Sequence, residues 1–272
     1  MNETDLFQQE LLNSLTGDTK LGRLFAQDSG DFPFAVGLAE SFKAAAVAAL
    51  LMKKQQSVLL LTPDAESAAR WQENLCALLP KDMSERVLLL PPVELSPFTD
   101  FQPEADVVAA RLNALAALSK EETVCVVTPA EALLGRFQPK DAFAAERLLL
   151  TPGVTIELDE LAQRLIELGY QRESMIDTPG TFACRGGIAD IYPVGWDRPV
   201  RLDFFDNEIE TVRYFAPDTQ RSAETCLREL ELFPCRLQNA GVTLLDYLPE
   251  GAYLLVDEAA QCEQNLREAE QE

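Results

Sequence analysis

The sequence of 272 residues contains no histidine, no CxxC pair and no long apolar run. Without imidazole, a Ser-His-Asp or Cys-His catalytic device and a histidine metal ligand are excluded. No segment reaches the ~18 consecutive apolar residues of a membrane-spanning helix. The first dozen residues, MNETDLFQQELL, lack the basic start and apolar stretch of a signal peptide. Basic residues are also short: 23 Lys and Arg face 45 Asp and Glu, a net charge of −22. Phosphate binding needs clustered cations that release counterions, so this balance argues against unspecific nucleic-acid affinity and against anionic membrane. Six scattered cysteines read as reduced, structural residues of a cytoplasmic protein, not as a disulfide framework or a zinc site. What is present is a chain 47% hydrophobic, enough for a real core, and long enough for one large or two ordinary domains.

Up to about residue 138, apolar strand-like runs alternate with helical periods. Residues 34–37 lead into the alanine-rich SFKAAAVAALLMKK. SVLLLT (57–62) precedes a helix that Asp64 is placed to cap. Residues 87–90, a helical run over 104–120 and a strand over 123–127 follow. Continuously apolar strands between helices predict an α/β layer with a buried parallel sheet. From residue 139 to 234 the texture changes to a small α+β module. A strand is expected at 148–156, a helix at 158–169, and short antiparallel strands at 180–185, 188–194, 200–205 and 209–215. Asp206, Asn207 and Glu208 supply the turn of the last hairpin. Residues 235–272 revert to α/β style, with a buried strand at 253–256 and a helix running to the last residue. This order predicts a module inserted into an α/β domain, in a chain cut from something longer.

Two places invite nucleotide chemistry. GLAESFKAA (37–45) lies between strand and helix, where a P-loop would sit. A P-loop needs a second glycine so that backbone NH groups can wrap phosphate, and a hydroxyl to hold magnesium. Gly37 and Lys43 remain, but Phe42 takes the second glycine's place, Ala44 replaces the hydroxyl, and Glu40 adds repulsion. Asp257 and Glu258, after the apolar YLLV, have the pattern of a Walker B pair, although acids commonly begin helices. The expectation is a degenerate nucleotide site without catalytic residues.

Along VRLDFFD, alternation puts Val200, Leu202 and Phe204 on a core face and Arg201, Asp203 and Phe205 on the other. A large aromatic beside arginine on a polar face has the composition of a binding hot spot. Arg185 ends the neighbouring strand before Gly186-Gly187, where the chain bends. The alternative is structural: Phe205 packed under the 158–169 helix, with the arginines paired to Asp203 or Asp206.

The run GTFACRGGIADIYPVGWDRPVRLDFFDNEIETVRYFAPDTQRS (180–222) resembles the small interaction domain shared by UvrB and the bacterial transcription-repair coupling factors. LLDYLPEGAYLLVDEAA (244–260) is similar to the segment of both that re-enters the first domain with the Walker B acids. The broken GLAESFKAA, and the absence of room for UvrB's DNA-clamping hairpin between residues 98–103 and ADVVAARLNAL, favour the coupling-factor branch. The resemblance implies a parallel-sheet, helicase-like domain with a degenerate P-loop, carrying an inserted UvrB-type interaction domain. It implies UvrA as partner, with Arg185, Arg201 and Phe205 at the contact. It implies RNA polymerase and DNA only through domains outside this sequence, with ATP and magnesium expected there and no cofactor here. Masking of the UvrA face by a distant domain of the longer chain is also implied. On this reading Phe205→Ala or Arg201→Glu would abolish UvrA capture at nearly unchanged thermal stability. The enzyme alternative, a UvrB-like nucleotide-dependent unit acting on damaged DNA, would use Lys43, Asp257 and Glu258.

Overall fold

A computed structural model describes residues 40–92, 105–216, 219, 221–235 and 241–271. The expected strand at 34–37, Gly37 and the stretch 98–103 lie outside the described residues. The chain divides into two compact units, one made of Met1–Pro92, Glu121–Gly135 and Tyr247–Glu272, the other of Val93–Lys120 and Arg136–Asp246. The second unit is thus inserted into the first, and it also takes the helix Ala105–Ser119.

Among the described residues, the first unit holds a four-stranded parallel sheet. Its strands are β1 (Val58–Thr62), β2 (Val87–Leu89), β3 (Cys125–Pro129) and, after the insertion, a fourth, Tyr253–Val256. β1 pairs with β3 on one side and with Tyr253–Val256 on the other, and β2 pairs with β3, all in parallel. Helices α1 (Glu40–Lys54), α2 (Ala65–Leu78) and the short α3 (Lys81–Ser84) precede the crossover to β3. All five residues of β1 and of β3 are buried, which is why these strands read as unbroken apolar runs. Ala44, Ala48 and Ala49 of α1 pack with Val58, Leu60, Trp71 and Val127 in one core. Asp64 caps α2 as expected, accepting a 2.7 Å hydrogen bond from the Ser67 amide.

Residues 253–256 do form a strand but not a buried one. It is the edge of the sheet; Tyr253 and Leu255 pack on the core, while Leu254 and Val256 are 48% and 46% exposed. After β3 the chain turns through a 3-10 helix, Ala130–Leu134.

In the second unit, α4 (Ala105–Ser119) and α5 (Lys140–Ala145) precede β4 (Leu148–Leu150) and α6 (Leu158–Glu167). A six-stranded sheet then follows in the order β10-β9-β8-β7-β6-β5. Its members are β5 (Gln171–Arg172), β6 (Thr181–Arg185), β7 (Ile188–Tyr192), β8 (Val200–Phe205), β9 (Glu208–Ala216) and β10 (Arg221–Cys226). All neighbours are antiparallel except β5 and β6. β11 (Leu230–Leu232) pairs with β4 in a separate ladder, which stops at Leu150 short of the strand expected to 156. The last strand completes the chain order as β12 (Tyr253–Val256), followed by α7 (Ala259–Ala269).

The apolar stripe of α6, Leu161, Ala162 and Leu165, shares a core with Phe182, Ile191, Val200, Leu202 and Ile209. Removing this much apolar surface from water is the main force holding the module together. The register between β8 and β9 slips by one between Asp203 and Phe204, a β-bulge just before the hairpin tip. Glu208 is a strand residue paired with Phe205, so the turn itself is Asp206-Asn207, with Asp206 in the left-handed region at φ 53.

Candidate functional site

β6, β7 and β8 bring the three expected docking residues to one end of the six-stranded sheet. Register places Arg201 opposite Asp190, and Asp203 opposite Ile188, which in turn pairs with Arg185. Asp190 is 1% exposed, and both arginines converge on it. Arg201 donates from Nε to Oδ1 at 2.6 Å and from a terminal nitrogen to Oδ2 at 2.9 Å. Arg185 donates to Oδ2 at 3.1 Å. The face of the Arg201 guanidinium lies 4.6 Å from the centre of the Phe215 ring. The Asp190 hydrogen bonds hold the Arg201 guanidinium above its usual range, against the opposing cost of burial.

This geometry separates the two arginines. Arg201 is buried at 9% exposure, so alternation gave its face correctly but not its accessibility. The expectation that Arg201→Glu would spare stability therefore fails, because it would place a second carboxylate against Asp190. Arg185 is half-exposed along its side chain. Both arginines pair with Asp190, a residue that the structural alternative did not name. Asp203 instead accepts from Thr211 Oγ1 at 2.5 Å and lies 3.6 Å from Arg213.

Phe205 is 71% exposed, so it does not pack under α6. Its neighbour Phe204 turns inward against the core with Leu202. The hairpin is held by main-chain bonds: the Ile156 amide donates to Asn207 O at 2.8 Å, the Gly153 amide to Ile209 O at 2.8 Å, and Ile209 returns one to Val154 O at 2.9 Å. The bend beside Arg185 needs its glycines. Gly186 has φ +58, and a Cβ on Gly187 would lie 3.2 Å from the Phe204 carbonyl, which belongs to the strand that Gly187 O accepts from at 2.8 Å. Asp190 is the residue that sequence reasoning missed. It lies on the same face of its strand as Ile188 and Tyr192, but the register that brings it to Arg201 is not written in either strand alone.

The residues of the expected nucleotide site also meet, apart from Gly37, which lies outside the described residues. Lys43, in the first turn of α1, donates to Asp257 Oδ1 at 2.8 Å and to Glu258 Oε1 at 2.7 Å. The other oxygen of Asp257 accepts from Trp71 Nε1 at 2.8 Å. These hydrogen bonds raise the Lys43 ammonium above its ordinary pKa of 10.5. The lysine and acids of a nucleotide site would face phosphate and magnesium; here they face one another.

Together these features define a class: an α/β unit into which is inserted an antiparallel module that presents an exposed aromatic at the sheet end that also carries Arg185. Residues 148–237 match the family described as the UvrB interaction domain. The chain is also homologous to transcription-repair-coupling factors. That of Bacillus subtilis is 35% identical over 200 residues, covering 74% of this chain and 17% of the relative. That of Myxococcus xanthus is 35% identical over 155 residues, covering 57% and 13%. That of Escherichia coli is 30% identical over 167 residues, covering 61% and 14%. The matched part of the chain thus spans 13–17% of the length of these relatives. Among the described residues no helix is long and apolar enough to cross a membrane.

Proposed function

We propose that this chain is a docking module that recruits UvrA for transcription-coupled nucleotide excision repair and carries no catalysis of its own. The observation that carries the reading is Phe205, 71% exposed on a hairpin held by backbone hydrogen bonds, in a module whose other large side chains are mostly buried. A backbone already held in place, carrying an aromatic with only two side-chain torsions, leaves little conformational freedom to lose on binding, which favours Phe205 as an interface anchor. Arg185 supplies the charged neighbour for an acidic group on the partner. Arg201 acts through Asp190 as a positioning residue, orienting Arg185 and the strand that ends in Phe205. The UvrB interaction domain and the names of the relatives support UvrA as partner. RNA polymerase and DNA would be engaged by domains outside this sequence, and a distant domain of the longer chain would mask the Phe205 face.

The experiment is capture of UvrA by the chain and by Phe205→Ala and Arg185→Glu variants, with thermal unfolding of each measured alongside. Loss of capture is the expected result, with unchanged unfolding for Phe205→Ala; Arg185→Glu also takes a donor away from buried Asp190, so its capture is read against its own unfolding. Normal capture by both variants would remove the docking face from the account. The nucleotide-dependent alternative is tested by calorimetry with ATP and magnesium. Micromolar binding would revive it, but Asp257, with Lys43 on one oxygen and Trp71 on the other, is poorly placed to hold a cation.

A further inference from the structure

The carboxyl end of the parallel sheet holds a charge cluster that docking does not use. Lys43 bridges Asp257 and Glu258, and Trp71 fixes the remaining oxygen of Asp257. The backbone of Asp257 is tied as well: its amide donates to Leu61 O at 2.9 Å, and its carbonyl accepts from Cys262 Sγ at 3.0 Å. Glu258 sits at the start of α7 in the left-handed region, φ 48 and ψ 58, a conformation that a residue with a Cβ holds only when its surroundings impose it. These groups come from three stretches of sequence, and the whole insertion from Arg136 to Asp246 separates the last from the other two.

The segment that returns after the insertion has little apolar anchorage. Among the described residues, β12 packs Tyr253 and Leu255 against the core, and Cys262 is the buried residue of α7. Segments with few buried contacts open first, unless polar contacts hold them. The side chains of Lys43 and Asp257 are 21% and 11% exposed, so their pairing is less screened than a surface ion pair.

We propose that Lys43, Asp257 and Glu258 form an internal ion latch that fastens the β12–α7 segment to α1. The ammonium stands between the two carboxylates, where a bound cation would otherwise have to stand. Beside the parallel pairing of β12 with β1, a residue of the chain itself then helps to order the returning segment, and no ligand is needed. The latch is independent of UvrA docking and stands or falls separately from it.

The test is amide hydrogen exchange across residues 253–269 of the whole chain, in wild type, Lys43→Met, Asp257→Asn, the double variant and Lys43→Arg. Lys43→Met and Asp257→Asn are expected to speed exchange there roughly three- to tenfold, while β3 amides keep their protection. The double variant should be no faster than the faster single one, and Lys43→Arg should stay near wild type because it retains the cation. Wild-type exchange in Lys43→Met, or effects of the two single variants that simply multiply, would overturn the latch. Should Lys43→Met fail to fold, Lys43→Arg decides: loss of protection in it would refute a role that needs only a bridging charge. Protection in wild type that rises with ATP and magnesium and depends on Lys43 would also overturn the proposal, by making the lysine a ligand group.

Discussion

Asp190 is the residue on which the geometry of the docking face turns. It is buried to 1% exposure and takes hydrogen bonds from Arg201 and Arg185. A buried carboxylate is tolerated only when paired, so removing Arg201 leaves a charge with half its compensation. Arg201→Ala is expected to cost roughly 3–5 kcal/mol of folding stability, measured by denaturant unfolding. Its effect on UvrA capture should therefore be read beside its unfolding, unlike that of Phe205→Ala. Lys43 gives a second test at this scale. Facing it are Asp257 and Glu258, with the Trp71 indole beside them, and their hydrogen bonds raise its pKa above 10.5. A raised lysine pKa adds stability that is fully present below the unfolded value of about 10.4 and is lost as pH climbs through the folded value. Tyr247, pushed by burial to about 12, and Tyr170, pushed up further, also weaken the fold at alkaline pH. Comparison with Lys43→Arg isolates the lysine: the arginine variant should keep more of its stability above pH 10.5 than wild type does.

Among the elements, α2 offers the simplest check on local reasoning. Asp64→Ala removes the acceptor of the Ser67 amide and should cost about 1 kcal/mol. The same hydrogen bond, to the Ser67 backbone first and its side chain second, holds the Asp64 carboxyl below its usual range. Its contribution is thus present above the unfolded pKa near 3.9 and lost as pH falls through the lower folded value. An acid titration of wild type against Asp64→Ala should show the two curves converging at low pH. Elements governed by local chemistry were legible in the sequence: the cap, the runs of β1 and β3, the amphipathic α6, and β8 with its inward Val200 and Leu202. What was not legible depends on neighbours. β12 reads as buried because YLLV is apolar, yet its position at the sheet edge leaves Leu254 and Val256 exposed. Arg201 reads as a surface arginine because its strand alternates, yet the register opposite Asp190 buries it. Phe205 could be assigned to a face but not to solvent, since its exposure depends on the bulge at Asp203 and Phe204 and on the backbone bonds from residues 153–156.

For the molecule as a whole, the net charge of −22 and the absence of histidine narrow the range of partners. Phosphate contacts are salt-dependent and need clustered cations. Here Arg201, Arg185, Lys43 and Arg213 are all engaged with carboxylates. Fluorescence titration with duplex DNA at physiological salt is expected to give no saturable binding; tight, salt-sensitive binding would contradict the argument from net charge. A protein partner with an apolar pocket for an aromatic fits the exposed Phe205, with an acidic group needed only locally, opposite Arg185. The direct measurement is the affinity of UvrA for the wild-type chain and for Phe205→Ala, by calorimetry, with Tm values taken on the same samples. An anchor of hot-spot rank contributes at least about 2 kcal/mol, roughly a thirtyfold loss of affinity. The account predicts a loss of that size or greater with the Tm unchanged, whereas equal affinities for the two chains would contradict it.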